Sequence, residues 1–296
     1  MNPQPIIFNT PDKYQLNGLW YTKASAKQAI IFVHGLGSSI INDFDQNIIA
    51  PLANNKTAVL LFNNRGHDLI SKVRRPTKYK NRKKEPLKLG GSAMEHFTDC
   101  VYDIAAAINF VRRQGIQNIV LIGHSTGCQK IAYYLAQGNK QAKIKSAILL
   151  CPMSDYAALH KHLDNKTLQI ITKMAKKMIR DGRGEDLLPK KYTPYISSAQ
   201  RWLSLYTPFS DEEIFTYSQA QHTPTIYQSL KLPLYIILAG QDEHRSIPIK
   251  KIASWFNKQQ CSNDYKMDII AHADHGFRGK YKIVKDKLQS YLAEKG

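Results

Sequence analysis

A serine hydroxyl attacks a carbonyl carbon only when a neighbouring base takes its proton and a third group steadies that base. Three places in this 296-residue chain carry the residue types for that chemistry. Gly123-His124-Ser125-Thr126-Gly127 directly follows the apolar run Asn118–Gly123 and directly precedes a helical pattern. In a G-x-S-x-G turn the chain reverses so tightly that a side chain at either flanking position would collide. The strained turn lifts the serine hydroxyl out at the head of a helix. The helix N-terminus and the amide of Thr126 then favour a developing oxyanion. Further on, the apolar run Leu234–Ala239 leads into Gly240-Gln241-Asp242-Glu243, and Tyr265–Ile270 leads into Ala273-Asp274-His275-Gly276-Phe277. Ser125, Asp242 and His275 thus each stand just past the end of an expected strand, in the order nucleophile, acid, base.

Each role has a rival. His272 lies three residues before His275 and is closer to the strand end. Asp155 follows the run Ala147–Cys151, and Glu243 adjoins Asp242; either carboxylate could serve as the acid. Cys128 reads as a small packed residue at the start of the elbow helix.

These residues need a scaffold, and the hydrophobic pattern supplies one. Short apolar runs alternate with longer amphipathic ones, which signals an α/β fold with a mostly parallel sheet flanked by helices. Expected strands are Pro5–Phe8, Gln15–Tyr21, Ala29–Val33, Ala58–Phe62, Asn118–Gly123, Ala147–Cys151, Leu234–Ala239 and Tyr265–Ile270. The later runs are rich in Ile, Val and Leu, as strands buried on both faces are. Apolar residues at steps of three and four predict helices over 92–114, 127–137, 164–180, 248–258 and 280–294. Two segments break this rhythm. Residues 71–91 carry nine Lys/Arg and one Glu. Residues 152–230 hold no strong strand but nine aromatics, and read as a helical cap inserted into a core of 1–151 and 231–296. Those aromatics either line a substrate entrance or fill the cap's own interior.

Elbow, acid and histidine, in that order across a βα pattern, resemble the α/β-hydrolase superfamily. The resemblance spans nearly the whole chain. It implies an eight-stranded, mostly parallel sheet and a Ser–His–Asp triad, with hydrolases, acyltransferases, C–C bond hydrolases and peptidases all built on that triad. The wider elbow, Gly-His-Ser-Thr-Gly-Cys-Gln, is similar to a poorly characterised branch found in fungi, plants and bacteria. The resemblance also assigns His34-Gly35-Leu36-Gly37 as the oxyanion segment, with the amides of Leu36 and Thr126 as the two donors. His34 and His124 then brace these loops. Asn64-Arg65-Gly66-His67 resembles the family's run at the next strand end, with Arg65 tying loops together and Asp68 standing where a second glycine is usual.

Composition narrows the function classes. Hydrophobic residues make up 43% of the chain, enough for a large core. The longest uncharged apolar stretch is about half of what a membrane helix needs, and no signal-peptide pattern opens the chain. Four widely spaced cysteines, Cys100, Cys128, Cys151 and Cys261, form neither a disulfide framework nor a metal-binding spacing; free thiols fit a cytoplasmic location. The net charge of +19 could attract anionic substrates, an acidic lipid surface or RNA, although biased composition also explains it. No nucleic-acid recognition motif accompanies the charge. The expectation is therefore a serine hydrolase acting on a carboxylic ester, with an apolar, aromatic or anionic acyl substrate and no metal or organic cofactor. The other class left open is a non-catalytic protein, or one binding nucleic acid or an anionic surface through the basic 72–88 segment.

Overall fold

The computed structural model describes residues 1–79, 82–84, 87–138, 144–193 and 195–295. In chain order the strands are β1 (Gln4–Asn9), β2 (Gln15–Tyr21), β3 (Gln28–Val33), β4 (Thr57–Phe62), β5 (Ser71–Arg74), β6 (Thr77–Tyr79), β7 (Arg82–Lys84), β8 (Leu87–Gly90), β9 (Asn118–His124), β10 (Ile144–Leu150), β11 (Leu234–Ala239) and β12 (Tyr265–Ile270). Helices are α1 (Cys100–Arg113), α2 (Thr126–Ala136), α3 (Asp155–Leu159), α4 (Asn165–Arg180), α5 (Ala199–Tyr206), α6 (Thr225–Gln228), α7 (Ile249–Gln259) and α8 (Tyr281–Lys295).

The main sheet runs β12-β11-β10-β9-β3-β4-β2-β5-β8, with β1 also pairing with β2. From β12 to β4 the pairings are parallel; those of β1, β2, β5 and β8 are antiparallel. The strands β3, β4 and β11 are buried at every position. Their alternate side chains feed two cores. Ala29, Ile31 and Val33 pack with α1, α2 and α7 on one face. Ile30, Phe32, Val59 and Leu61 meet α8 and the turn around Ile48 on the other. No helix among the described residues is long and apolar enough to cross a membrane.

The eight expected strands are all present, and two more extend the sheet to ten. Both come from the basic segment: β5 and β8 pair antiparallel from Ser71↔Gly90 to Arg74↔Leu87. In β5 only Val73 is buried, so no apolar run announced it. Lys80 lies outside the described residues, as do the side chains of Lys78, Arg82, Lys83 and Lys84.

The helix expected from residue 92 begins later. The amides of Ser92 and Ala93 bond to the carbonyls of Asp68 and Leu69, so this stretch is tied to the preceding loop, and only a 3₁₀ turn (Phe97–Asp99) leads into α1. Within 152–230, the helices α4 and α5 build a small core of their own around Leu168, Ile171, Met178 and Trp202. Asp164 caps α4 by accepting from the Thr167 amide at 2.9 Å.

The elbow rests on two close approaches. A Cβ on Gly123 would lie 2.7 Å from Gly127 O, and one on Gly127 would lie 2.0 Å from Val33 O. Gly127→Ala is therefore expected to destabilise the fold by about 3 kcal/mol or more, the upper range for overpacking. Urea unfolding would register this, and an unchanged midpoint would contradict so tight a seat.

Candidate active site

Ser125 occupies the turn between β9 and α2 with φ 55° and ψ −127°, a region an L-residue enters only when its surroundings hold it there. Gly35 presses against it, since a Cβ there would sit 2.9 Å from Ser125 Cβ. Ser125 opens onto a cavity of about 450 Å³. Its Oγ bonds to Met153 Sδ at 3.6 Å.

His275 lines the same cavity. Its Nδ1 lies 2.7 Å from Asp242 Oδ2, and its Nε2 has no partner among the described residues. Asp242 reaches His275 because β11 and β12 are parallel neighbours whose carboxyl ends emerge together. The other carboxylate oxygen, Oδ1, accepts from the His244 amide at 2.9 Å. Burial opposes the charge on Asp242, but the hydrogen bond and attraction of His275 prevail and hold the carboxyl below its usual range. Ser125 and His275 thus face one cavity without a bond between them. The serine hydroxyl is turned toward Met153, and catalytic hydrogen bonds often tighten only once substrate arrives.

The rivals have other occupations. His272 is exposed, 3.3 Å from Gln241 Nε2. Glu243 accepts from the His275 amide at 2.8 Å and so braces its backbone. Asp155 takes a bond from Gln129 Nε2 at 2.7 Å. Burial, reinforced by the nearby Glu212, pushes its carboxyl up to about 7.

Two further histidines brace the site. His124 donates through Nε2 to His275 O at 2.9 Å and stacks on Phe44. Burial, with His275 close by, lowers its pKa to about 3. His34 donates through Nδ1 to Gly35 O and accepts from the Asn64 amide; burial again lowers it to about 3. Both rings are neutral and act as fixed struts. Arg65 is buried and bonded to Asp12, Asp99 and Asp103, which ties the β1–β2 turn and α1 to the loop after β4. Asp68 adopts φ 57°, the left-handed conformation for which a glycine is the usual choice.

Leu36 lines the cavity. Thr126 is fully buried behind Ser125 and is not part of the lining. Neither amide donates a hydrogen bond among the described residues. The aromatics of 152–230 divide: Trp202, Phe215 and Tyr227 are buried in core clusters, while Tyr195 and Tyr206 face the cavity.

Among the described residues, one group has donor atoms close enough to hold a metal ion. These are Cys151, Asp242 and His275, with ligating atoms within 4.8 Å of one another. Burial, then the charge of Asp242, pushes the Cys151 thiol well above its usual range. A protonated thiol is a poor ligand, and the facing atoms of Asp242 and His275 are already bonded. Among the cavity residues that escaped sequence reasoning are Met153, His162, His244 and Asp45. Only His244 left a trace, since an amide two residues after an Asp commonly bonds back to its side chain.

Residues 91–293 match the family model described as "Protein of unknown function (DUF1749)". The chain belongs to the DUF1749 family. This DUF1749 member is 22% identical over 278 residues to "Putative esterase/lipase 3" of Mycoplasma pneumoniae, covering 91% of this chain and 89% of that protein. It is 24% identical over 268 residues to the protein of the same name from Mycoplasma genitalium, covering 88% and 85%. Among solved structures it is similar to a soluble variant of monoglyceride lipase from Saccharomyces cerevisiae. The TM-score there is 0.66 at 15% identity, over 100% of this chain and 96% of that one. Est1E from Butyrivibrio proteoclasticus gives 0.62 at 16% identity, over 98% and 99%. The DUF1749 chain has the α/β-hydrolase fold.

Proposed function

We propose that the protein is a serine hydrolase that cleaves a carboxylic ester through an acyl-enzyme. The observation that carries this reading is the 2.7 Å pairing of His275 Nδ1 with Asp242 Oδ2, on the wall of a cavity that also holds Ser125 at positive φ. The curated relatives named as esterase/lipase support the ester as the bond attacked.

In this reading Ser125 Oγ rotates from Met153 toward His275 Nε2. That nitrogen takes the hydroxyl proton as Oγ bonds to the ester carbonyl carbon. Asp242 stabilises the resulting imidazolium. The amides of Leu36 and Thr126 hold the oxyanion, and α2 adds its N-terminal dipole. Collapse of the tetrahedral species expels the alcohol, which leaves with the proton from His275. Water then repeats the sequence on the acyl-enzyme and releases the acid. Residues 152–230 act as a cap: Tyr195 and Tyr206 wall the cavity, and the α4–α5 core supports them from behind.

Fluorophosphonates phosphonylate an activated serine, so labelling followed by peptide mapping tests the assignment. The expected result is a single modified peptide carrying Ser125, together with turnover of p-nitrophenyl esters. Absence of labelling on a folded, monodisperse sample would remove the reading.

A further inference from the structure

The chain carries 42 Lys and Arg against 23 Asp and Glu. Yet the cavity lining contains two carboxyls, Asp45 and Asp155, and no lysine or arginine among the described residues. The lining also holds the five histidines His34, His124, His162, His244 and His275, and an anionic acyl group would meet no lysine or arginine there. The buried charges behind this wall are matched. Lys130 Nζ meets Glu95 Oε1 at 2.5 Å, Arg201 Nη2 meets Glu95 Oε2 at 3.3 Å, and Arg201 also pairs with Glu212. Glu213 is occupied by Ser154 Oγ at 2.6 Å and Gln219 Nε2 at 2.8 Å.

Asp155 is different. Its Oδ2 accepts from Gln129 Nε2, whereas Oδ1 has no hydrogen-bond partner and no cation lies within ion-pair distance among the described residues; Arg201 and His275 act on the carboxyl only from farther off. The residue is 8% exposed and lies on the cavity wall. Its Oδ1 is not shut off from solvent, so a donor entering the cavity can reach it. Asp45 is less accessible. It is 1% exposed, its Oδ2 is shut off from solvent, and burial pushes its carboxyl up to about 8, which leaves it neutral near pH 7.

We infer that the cavity takes an ester bearing a primary ammonium, which Asp155 Oδ1 receives in a charge-assisted hydrogen bond. This rests on the serine-hydrolase reading for the use of the cavity as a substrate site. An ammonium ion supplies the charge that the wall lacks, and its attraction favours the ionised carboxylate. Met153, Leu159 and Phe44 offer apolar surface for the carbon stem.

Titration calorimetry with n-hexylammonium and n-hexanol tests the inference without any chemistry. Wild type and Ser125→Ala should both bind the ammonium about tenfold tighter than the alcohol, the scale of one hydrogen bond to a charged group. Asp155→Asn should bring the two within about twofold, leaving hexanol affinity unchanged as evidence of an intact cavity. Equal or absent binding of the two probes by wild type would overturn the inference, and so would a preference that survives in Asp155→Asn. The wild-type comparison stands independently of how well that variant folds. Ammonium preference without fluorophosphonate labelling would sink the hydrolase reading alone, whereas labelling without the preference would sink only the ammonium site.

Discussion

Ser125→Ala is expected to lower turnover of a short-chain p-nitrophenyl ester by about 10⁶, the scale on which a serine triad fails when its nucleophile is removed. The variant keeps a Cβ, so the strained backbone at φ 55° is no worse than before and the fold should be retained. What disappears is the atom proposed to form the acyl bond. Only the cavity and the amides of the oxyanion site remain, and these supply a residual rate above water. The hydroxyl's bond to Met153 is long, 3.6 Å to sulfur, so losing it should barely alter stability. The measurement pairs single-substrate kinetics with circular dichroism. A folded variant with near-wild-type turnover would remove the acyl-enzyme mechanism.

Asp242→Asn is expected to reduce turnover by about 10⁴ at neutral pH, with substrate affinity little changed. Its carboxylate accepts from two groups, His275 Nδ1 through Oδ2 and the His244 amide through Oδ1. An amide can keep one of these as acceptor, but it then presents an N–H to the imidazole. The ring answers by placing its proton on Nε2, where it can no longer accept one from Ser125. Because His275 holds the Asp242 carboxyl below its usual range, the wild-type charge persists across mildly acidic to alkaline pH. The defect should therefore appear throughout that range. Steady-state kinetics across pH would show it, and a loss of tenfold or less would point to Glu243 or Asp155 as the working acid.

Much of this arrangement was legible because a parallel sheet converts sequence order into spatial order. Strands that run the same way release their chains on one edge, so residues just past β9, β11 and β12 must gather there. That geometry brings Asp242 to His275 across more than thirty intervening residues. The rest depended on contacts that no local pattern encodes. The strands β5 and β8 pair in a lysine-rich stretch in which Val73 is the one buried side chain of β5. The start of α1 is delayed because Ser92 and Ala93 bond to the loop at Asp68 and Leu69. Met153 comes to rest against Ser125 through the path of the chain after β10, which periodicity does not describe. Asp155 stood out in the sequence as an alternative acid. Its actual bond, to Gln129 on α2, became visible only with the helix in place.

The buried charges joining α5 to the sheet domain bear on how molecules enter and leave. Arg201 on α5 grips Glu95 and Glu212, and Glu95 in turn grips Lys130 on α2, all of them almost wholly shielded from water. Swinging α5 outward would part Arg201 from Glu95, the buried ion pair that joins the two sides. That pair ties α5 to the residues beneath it. On the proposed function, entry and exit at Ser125 then fall to side-chain and loop movement at the cavity rim rather than to displacement of α5.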